Sequence, residues 1–285
     1  MSSADSTSAP RRAGVLGSPV AHSLSPALHR AGYAAAGLKS WRYDPIDCDA
    51  QALPGVVGAA GPEWAGFSVT MPGKSAAADV ADERSDRVAA LGVANTLVRR
   101  PGGWFAENTD VDGVLGALRA AGLGAPGSAL LLGGGGTSAA VLAALAEMGT
   151  ARVVVAGRRR QSTAAVVELG ARLRLGVTAI GWTRDEIADA GTAAELVVST
   201  VPAGAADALA DVLAAVPALF DVVYHPWPTP LAAAGNPGRI TVTGLDLLLH
   251  QAFRQFELFT GRPAPVAAMR DGLRIAARTD LPLPV

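Results

Sequence analysis

Residues 129–140 read ALLLGGGGTSAA, and this stretch decides the fold of the second half of the chain. An apolar β-rich run ends in four glycines, and a helix-forming run follows. Such a turn lets the backbone approach a pyrophosphate, while the helix N-terminus offers main-chain N–H groups and a partial positive charge. Gly133 and Gly135 match the first two glycines of the G-x-G-x-x-G fingerprint, and Ser138 occupies the third position. The stretch favours a dinucleotide-binding βα unit; a flexible turn without a ligand is the alternative.

The next apolar run, 153–156, favours one dinucleotide over the other. Gly157 and three arginines, Arg158, Arg159 and Arg160, follow it. An NAD site usually carries an acid here to bond the ribose 2′-hydroxyl, and no acid is present. Guanidinium groups can bind a 2′-phosphate in bidentate fashion. We therefore expect NADP(H) as the cofactor, with a solvated basic turn as the alternative.

The same alternation of short apolar runs and Ala/Leu-rich stretches extends over the whole chain. It predicts an α/β fold with mostly parallel sheets and helices on both faces. The predicted strands are 13–16, 41–46, 67–69, 96–98, 129–132, 153–156, 196–199, 219–222 and 240–242, and predicted helices include 26–36, 111–121 and 138–148.

Composition excludes several classes of protein. The 285 residues are half hydrophobic, which is enough for two domains. No apolar run reaches the ~18 residues of a membrane span. The net charge is −1, so we expect no nucleic-acid partner. Cys48 is the only cysteine and the four histidines lack metal-ligand spacing, so we expect no disulfide, no metal and a cytoplasmic location. The Ser/Ala-rich residues 1–11 predict a disordered tail.

The first polar cluster outside the glycine loop is GSPVAHSLSP, residues 17–26. It follows a predicted strand and precedes a helix that Pro26 can open. Ser25 is well placed to cap that helix, and Ser23 could point the same way. Two hydroxyls beside helix N–H groups make a carboxylate site. A plain helix cap at Ser25 is the alternative.

Two further polar clusters complete the first half of the chain. Residues 67–74 read FSVTMPGK, and residues 107–110 read ENTD after an Asn-Thr pair at Asn95. Taken alone, Lys74 is a surface charge and Asp110 a helix cap. All three clusters are rich in polar residues that fit poorly in a plain apolar core.

Six co-linear blocks strongly resemble the shikimate dehydrogenase family. The serine cluster is similar to its P-[IV]-x-H-S-x-S-P signature, and residues 68–74 to N-V-T-x-P-x-K. The other blocks are GVANTL (92–97), ENTD (107–110), DVVY with PTPL (221–224, 228–231) and GLDLL with QA (244–248, 251–252). The match runs in order from about residue 13 to 275, which outweighs the simpler interpretations above.

The resemblance implies an N-terminal α/β substrate domain and a Rossmann-like, doubly wound NADP-binding domain with the active site in the cleft between them. We expect residues 12–111 and 245–285 in the substrate domain and 112–244 in the cofactor domain. The implied activity is reversible, NADPH-dependent reduction of 3-dehydroshikimate to shikimate, in aromatic amino-acid biosynthesis, by a monomer or homodimer.

The resemblance also implies residue roles. Lys74 donates and accepts the proton at the reacting oxygen, with Asp110 beside it. Substrate contacts are expected from Ser23, Ser25, Thr70, Asn95, Asp110, Tyr224 and Gln251. Cofactor contacts are expected from Gly133, Gly134, Gly135, Gly136, Thr137, Ser138, Arg158, Arg159, Thr200, Val201, Pro202, Val222, Gly244 and Leu247.

Several residues depart from the family pattern, and two other functions are alternatives. Ser68 replaces the usual asparagine, Gly73 replaces a bulkier residue, and Asp246 has no expected role. One alternative is a quinate or quinate/shikimate dehydrogenase that uses NAD. Family members with quinate activity often have threonine at the position of Ser25, and those that use NAD often have an acid near Arg158. This chain has neither. The other is a non-catalytic NADPH-binding sensor. Such a sensor is expected to lack Lys74 or Asp110, and both are present.

Overall fold

The computed structural model describes residues 11–285, which divide into two compact units. The first comprises residues 11–109 and 252–282, and the second comprises 110–251 and 283–285. The predicted limits of the two domains stay a prediction. Residues 1–10 of the predicted tail lie outside the described part. Arg11 does not belong to a tail, because it opens the first strand.

The first unit is built on a six-stranded mixed sheet of order β2–β1–β3–β5–β6–β4. The β2–β1–β3 part is parallel, whereas β5 runs antiparallel to both β3 and β6. Its strands are β1 (Arg11–Gly17), β2 (Trp41–Asp47), β3 (Trp64–Val69), β4 (Glu83–Arg84), β5 (Thr96–Arg100) and β6 (Gly103–Glu107).

Helices cover both faces of this sheet, as its buried strands require. The apolar cluster on one face includes Leu16, Phe67, Leu97 and Trp104. The helices of the first unit are α1 (Ser25–Ala35), α2 (Leu53–Gly58), α3 (Lys74–Val80) and α4 (Asp86–Leu91), with α11 (Val266–Ala277) packed on α1. The later part of α10 (Gly244–Thr260) also belongs to this unit.

The second unit is built on a fully parallel six-stranded sheet of order β12–β11–β10–β7–β8–β9. Its strands are β7 (Ser128–Leu132), β8 (Arg152–Ala156), β9 (Gly176–Ile180), β10 (Leu196–Ser199), β11 (Ala218–Asp221) and β12 (Ile240–Thr243). The order in which strands are added to the sheet reverses at β7. Strands β8 and β9 lie on one side of β7, and β10, β11 and β12 lie on the other. This is the doubly wound arrangement.

The helices of the second unit bury an apolar cluster against its sheet, and Leu130, Val197 and Leu219 are central to it. These helices are α5 (Asp110–Ala120), α6 (Gly136–Met148), α7 (Arg160–Arg172), α8 (Arg184–Thr192) and α9 (Pro230–Ala233), with the first part of α10 and a 3-10 turn at Asp207–Leu209.

All nine predicted strands are present within two or three residues of their predicted ends, and the α/β class is confirmed. The short strands β4, β6 and β9 were not predicted. The three predicted helices begin within two residues of the observed starts, which are Ser25, Asp110 and Gly136. The residue before α1 is Leu24, so Ser25 does not hold the expected cap position.

Candidate active site

Three polar segments meet at the carboxyl edge of the first sheet. The loop after β1 and the turn after β3 leave from neighbouring parallel strands. Strand β5 runs the opposite way, so its first residues lie at the same edge, where Ser68 pairs with Thr96. The Ser18 main-chain N–H donates to the Met71 carbonyl at 3.1 Å, which ties the two turns together. The fold therefore brings the serine cluster, the Thr70–Lys74 turn and Asn95 to one edge.

Ser23 and Ser25 lie where the chain enters α1. The Ser23 Oγ accepts a hydrogen bond from the Ser25 main-chain N–H at 3.3 Å, so Ser23, and not Ser25 as predicted, bonds a main-chain N–H at the start of the helix. Ser25 is buried and Ser23 is half-buried. Two hydroxyls at the start of an 11-residue helix are suited to binding a carboxylate.

Lys74 is the first residue of α3, directly after the turn that follows β3. Its side chain is half-buried, and its main-chain carbonyl accepts from the Ala94 N–H at 2.9 Å. Thr70 is also half-buried, and its main-chain N–H donates to the Leu16 carbonyl at 2.9 Å. An ammonium group at the mouth of this turn can stabilise a growing negative charge and transfer a proton.

Asn95 is buried, and its side chain has a defined orientation. Its Oδ1 accepts from the Thr109 main-chain N–H at 2.7 Å and from the Thr96 Oγ1 at 2.9 Å. A main-chain N–H can only donate, so the atom facing it is the amide oxygen. Nδ2 is therefore the group with which Asn95 can donate to a ligand hydroxyl.

The sequence did not indicate two buried polar residues behind this edge, Tyr43 and Gln255, or their link to Ser68. The Tyr43 Oη donates to the Ser68 Oγ at 2.7 Å, and the Ser68 Oγ donates to the Gln255 Oε1 at 2.7 Å. Burial raises the pKa of Tyr43, and hydrogen bonds with Ser68 and Ser25 partly oppose the rise. The available signal was Gln255 itself, an amide one helical turn after Gln251.

In the second unit, the glycine turn follows β7 and leads into α6. Gly133 has a φ of 120°, and a Cβ there would collide with the Thr200 Oγ1. Ser138, in place of the third glycine, accepts from the Gly135 N–H at 3.1 Å and lies 2.7 Å from the Thr200 Oγ1. Ser138 therefore caps α6 and connects the turn after β7 with Thr200, which follows β10. These contacts stabilise the turn although the third glycine of the fingerprint is absent.

This turn lies at the reversal point of the parallel sheet, where doubly wound folds bind ligands. The turn residues Gly134, Gly136 and Thr137 are half-buried and Gly135 is exposed. Arg158 and Arg159 are exposed after β8, and Thr200, Val201 and Pro202 follow β10. Main-chain N–H groups at a helix start, together with the exposed guanidinium groups of Arg158 and Arg159, fit a dinucleotide that carries an extra phosphate.

The remaining predicted residues of this unit lie at strand ends or helix starts, except Gln251, which lies in the middle of α10. Asp110 is buried and opens α5, and Gln251 is buried in α10, where its Nε2 donates to the Leu248 carbonyl at 2.9 Å. Tyr224 is 37% exposed, and burial raises the pKa of its hydroxyl. Val222 and Gly244 follow β11 and β12, and a Cβ on Gly244 would collide with the Val222 carbonyl. Leu247, half-buried, lies in the first turn of α10.

Asp246, which had no expected role, holds the start of α10. Its Oδ2 accepts from both the main-chain N–H and the Oγ1 of Thr243, each at 2.8 Å. The Thr243 Oγ1 in turn accepts from the Asp246 N–H at 3.3 Å. Burial raises the pKa of Asp246. This reciprocal pair is a capping arrangement, which accounts for the acid.

Comparison with known proteins decides the family. Residues 15–97 match the family model of the shikimate dehydrogenase substrate binding domain, and residues 244–274 match that of the shikimate 5'-dehydrogenase C-terminal domain. The NADP(+) shikimate dehydrogenase of Methylobacterium radiotolerans is 39% identical over 276 residues, which cover 91% of this chain and 95% of that protein. The chain belongs to the shikimate dehydrogenase family.

Solved members of the shikimate dehydrogenase family share the fold. The Mycobacterium tuberculosis enzyme is 51% identical with a TM-score of 0.89, covering 93% of this chain and all of that one. The Thermus thermophilus enzyme, solved in complex with NADP(H) and shikimate, is 32% identical with a TM-score of 0.81, covering 93% and 99%. The predicted class, an N-terminal substrate domain with a Rossmann-like NADP-binding domain, is confirmed.

Two features are absent from residues 11–285. None of the helices there is long and apolar enough to cross a membrane. The same residues contain no group of three or more His, Cys, Asp or Glu side chains arranged to hold a metal ion.

Proposed function

We propose that this chain is a shikimate dehydrogenase that reversibly reduces 3-dehydroshikimate to shikimate with NADPH. The observation that carries the proposal is the meeting of Ser23, Ser25, Thr70, Lys74 and Asn95 at one edge of the first sheet. These groups provide a carboxylate site, hydroxyl donors and an ammonium group, which are the functions that a small carboxylate-bearing polyol requires. Family membership supports the same activity.

The assigned roles follow from the chemistry of each side chain. Ser23 and Ser25 hold the carboxylate, and Thr70 and Asn95 bond ring hydroxyls. We assign Gln251 and Tyr224 to further substrate contacts. NADP, when bound by the glycine turn, Arg158 and Arg159, supplies or accepts the hydride.

Lys74 is the proton-transfer residue in this proposal. During reduction, its ammonium stabilises the negative charge that grows on the ketone oxygen and then donates the proton. During oxidation, the neutral amine accepts the proton of the alcohol. We assign Asp110 as the second catalytic residue, the role that the family resemblance implies for it.

The three arginines after β8 support NADP over NAD, because no acid stands near them to bond a ribose 2′-hydroxyl. We also place the enzyme in the cytoplasm, since a chain with one cysteine fits a reducing compartment. Its state as a monomer or homodimer stays a prediction.

A four-way assay tests the proposal by following the absorbance of the reduced nicotinamide. Shikimate and quinate are each tested with NADP⁺ and with NAD⁺. We expect turnover with shikimate and NADP⁺ that exceeds the other three combinations at least tenfold. Preferred turnover of quinate with NAD⁺ would replace this assignment with the broader enzyme. Silence in all four combinations from protein that binds NADPH would favour a sensor.

A further inference from the structure

A directional chain of hydrogen bonds runs behind the carboxyl edge of the first sheet. The Gln255 Nε2 donates to the Asn95 carbonyl at 3.2 Å and to the Thr96 Oγ1 at 3.0 Å. A carbonyl can only accept, so the amide group of Gln255 is oriented with Nε2 toward β5 and Oε1 toward Ser68. Ser68 must then donate to Oε1, and Tyr43 must donate to Ser68.

The same logic carries the direction on to Asn95. Thr96 accepts from Gln255, so its own proton is available for the Asn95 Oδ1, which lies 2.9 Å away and also accepts from the Thr109 Oγ1 at 3.1 Å. Every donor from Tyr43 to Thr96 points the same way along the chain. Aligned hydrogen bonds in a low-dielectric interior polarise and strengthen one another. The last hydrogen bond of this series therefore goes to the Asn95 Oδ1 and helps to orient the amide group.

The residues of this hydrogen-bond chain are buried away from water, and the histidine ring packed on Tyr43 carries no charge. Tyr43, Ser68, Asn95, Thr96 and Gln255 are all at most 5% exposed. The His29 ring stacks on Tyr43 with a centroid distance of 4.2 Å and an interplanar angle of 5°. Burial lowers the pKa of His29 to about 3, although an interaction with the Gln255 side chain partly opposes the shift, so the ring is neutral at physiological pH. A broken link would leave a buried polar group without its partner, which is costly.

We propose that Gln255 is a positioning residue that, through Thr96 and together with Ser68 and Tyr43, orients the Asn95 amide for recognition of a substrate ring hydroxyl. The inference rests on the proposed function, in which Asn95 bonds such a hydroxyl. Ser68 stands where the family usually has asparagine, and its hydroxyl joins Tyr43 to the amide of Gln255, which in turn bonds β5. Ser68 and Gln255 thus act as one unit.

The first test replaces Gln255 by methionine, which keeps the side-chain length and removes both polar groups. Steady-state kinetics compare shikimate with a deoxy analogue that lacks one non-reacting ring hydroxyl, testing each of the two hydroxyls in turn. For Gln255→Met we expect KM for shikimate to rise about tenfold, as loss of one buried hydrogen bond predicts, with kcat within threefold. The preference for shikimate over one analogue should fall by a similar factor.

Two tyrosine variants provide a matched comparison. Tyr43→Phe and Tyr33→Phe each remove one buried phenolic oxygen from the same aromatic cluster. Only the Tyr43 oxygen belongs to the chain, since the Tyr33 oxygen has no hydrogen-bond partner among residues 11–285. We expect Tyr43→Phe to raise KM for shikimate about fivefold and Tyr33→Phe to leave it within twofold. Equal effects of both variants would overturn the proposal.

A second readout needs no substrate, so it separates this proposal from the proposed function. The side-chain amide signal of Asn95 in a ¹H–¹⁵N NMR spectrum is assigned by its loss in Asn95→Asp. We expect that signal to shift in Gln255→Met and Tyr43→Phe and to stay in place in Tyr33→Phe. An unmoved signal and an unchanged KM in Gln255→Met, with only a lower melting temperature, would show a purely structural role.

Discussion

Lys74 carries the proposed proton transfer, and the chain contains only one other lysine, Lys39. Lys74→Met removes the ammonium group while the half-buried methylene chain is kept. We expect kcat for shikimate oxidation to fall by about 10²- to 10⁴-fold, the usual contribution of a general acid–base group. Steady-state kinetics with NADP⁺ measure this effect.

Lys39 provides the control because it is exposed and lies in the loop before β2. Lys39→Met should leave kcat within twofold and the melting temperature nearly unchanged. If Lys74→Met keeps more than a tenth of the wild-type kcat, Lys74 is not the proton-transfer residue.

His29 sets a pH dependence of stability. Its pKa is lowered by burial to about 3, whereas an unfolded histidine titrates near 6.5. Below pH 6.5 the histidine takes up a proton in the unfolded chain but stays neutral in the native chain. The free energy of unfolding therefore falls as the pH falls toward 3. The loss is up to about 1.4 kcal/mol per pH unit.

Substituting His29 by phenylalanine keeps an aromatic ring against Tyr43 and removes the titration. Between pH 6.5 and 5, we expect the wild type to lose about 2 kcal/mol more of its free energy of unfolding than His29→Phe. Urea denaturation at both pH values measures the difference, and His22→Phe, at an exposed site, is the control. Parallel losses in the wild type and His29→Phe would contradict the buried neutral ring.

At the scale of elements, the turn between β7 and α6 depends on the conformation of Gly133. Its φ of 120° disfavours any side chain, and a Cβ there would meet Thr200. Gly135 has a φ of −96°, and a Cβ there would have no atom within 4 Å. We expect Gly133→Ala to destabilise the protein by about 1–3 kcal/mol and Gly135→Ala to change stability by less than about 1 kcal/mol. Urea denaturation of both variants tests this order, and equal losses would refute it.

The segment after β8 is expected to select the cofactor. In the double variant Arg158→Gln with Arg159→Gln, kcat/KM for NADP⁺ should fall about hundredfold, because about 2.7 kcal/mol of charge-assisted contacts to the 2′-phosphate are lost. The value for NAD⁺ should stay within threefold. Arg152→Gln, exposed at the other end of the same strand, is the control. An equal fall for both cofactors would show that these arginines do not read the 2′-phosphate.

The elements were predicted from sequence where apolar runs were long and buried. Strands β7, β8 and β10 read as continuous apolar runs because helices cover both their faces. Strand β9 was missed because it is an edge strand with mostly exposed residues. Strand β6, which pairs with β5, was missed although Pro101 and Gly102 before it give a hairpin signal.

At the scale of the whole molecule, sequence motifs located the candidate site but not what supports it. Ser23, Thr70 and Lys74 stand out because each follows a strand in a short polar motif. The link between Ser68 and Gln255 spans 187 residues of chain, and no local pattern encodes it. Only the tertiary fold brings that glutamine behind the sheet edge, where it helps to hold Asn95.

A crystal structure of the protein with shikimate and NADP⁺ tests the central claim most directly. We predict that the shikimate carboxylate lies within hydrogen-bond distance of the Ser23 and Ser25 hydroxyls. The reacting hydroxyl should contact the Lys74 Nζ, and a neighbouring hydroxyl should accept from the Asn95 Nδ2. Shikimate bound away from the carboxyl edge of the first sheet, or bound there with its carboxylate on Lys74, would contradict the account.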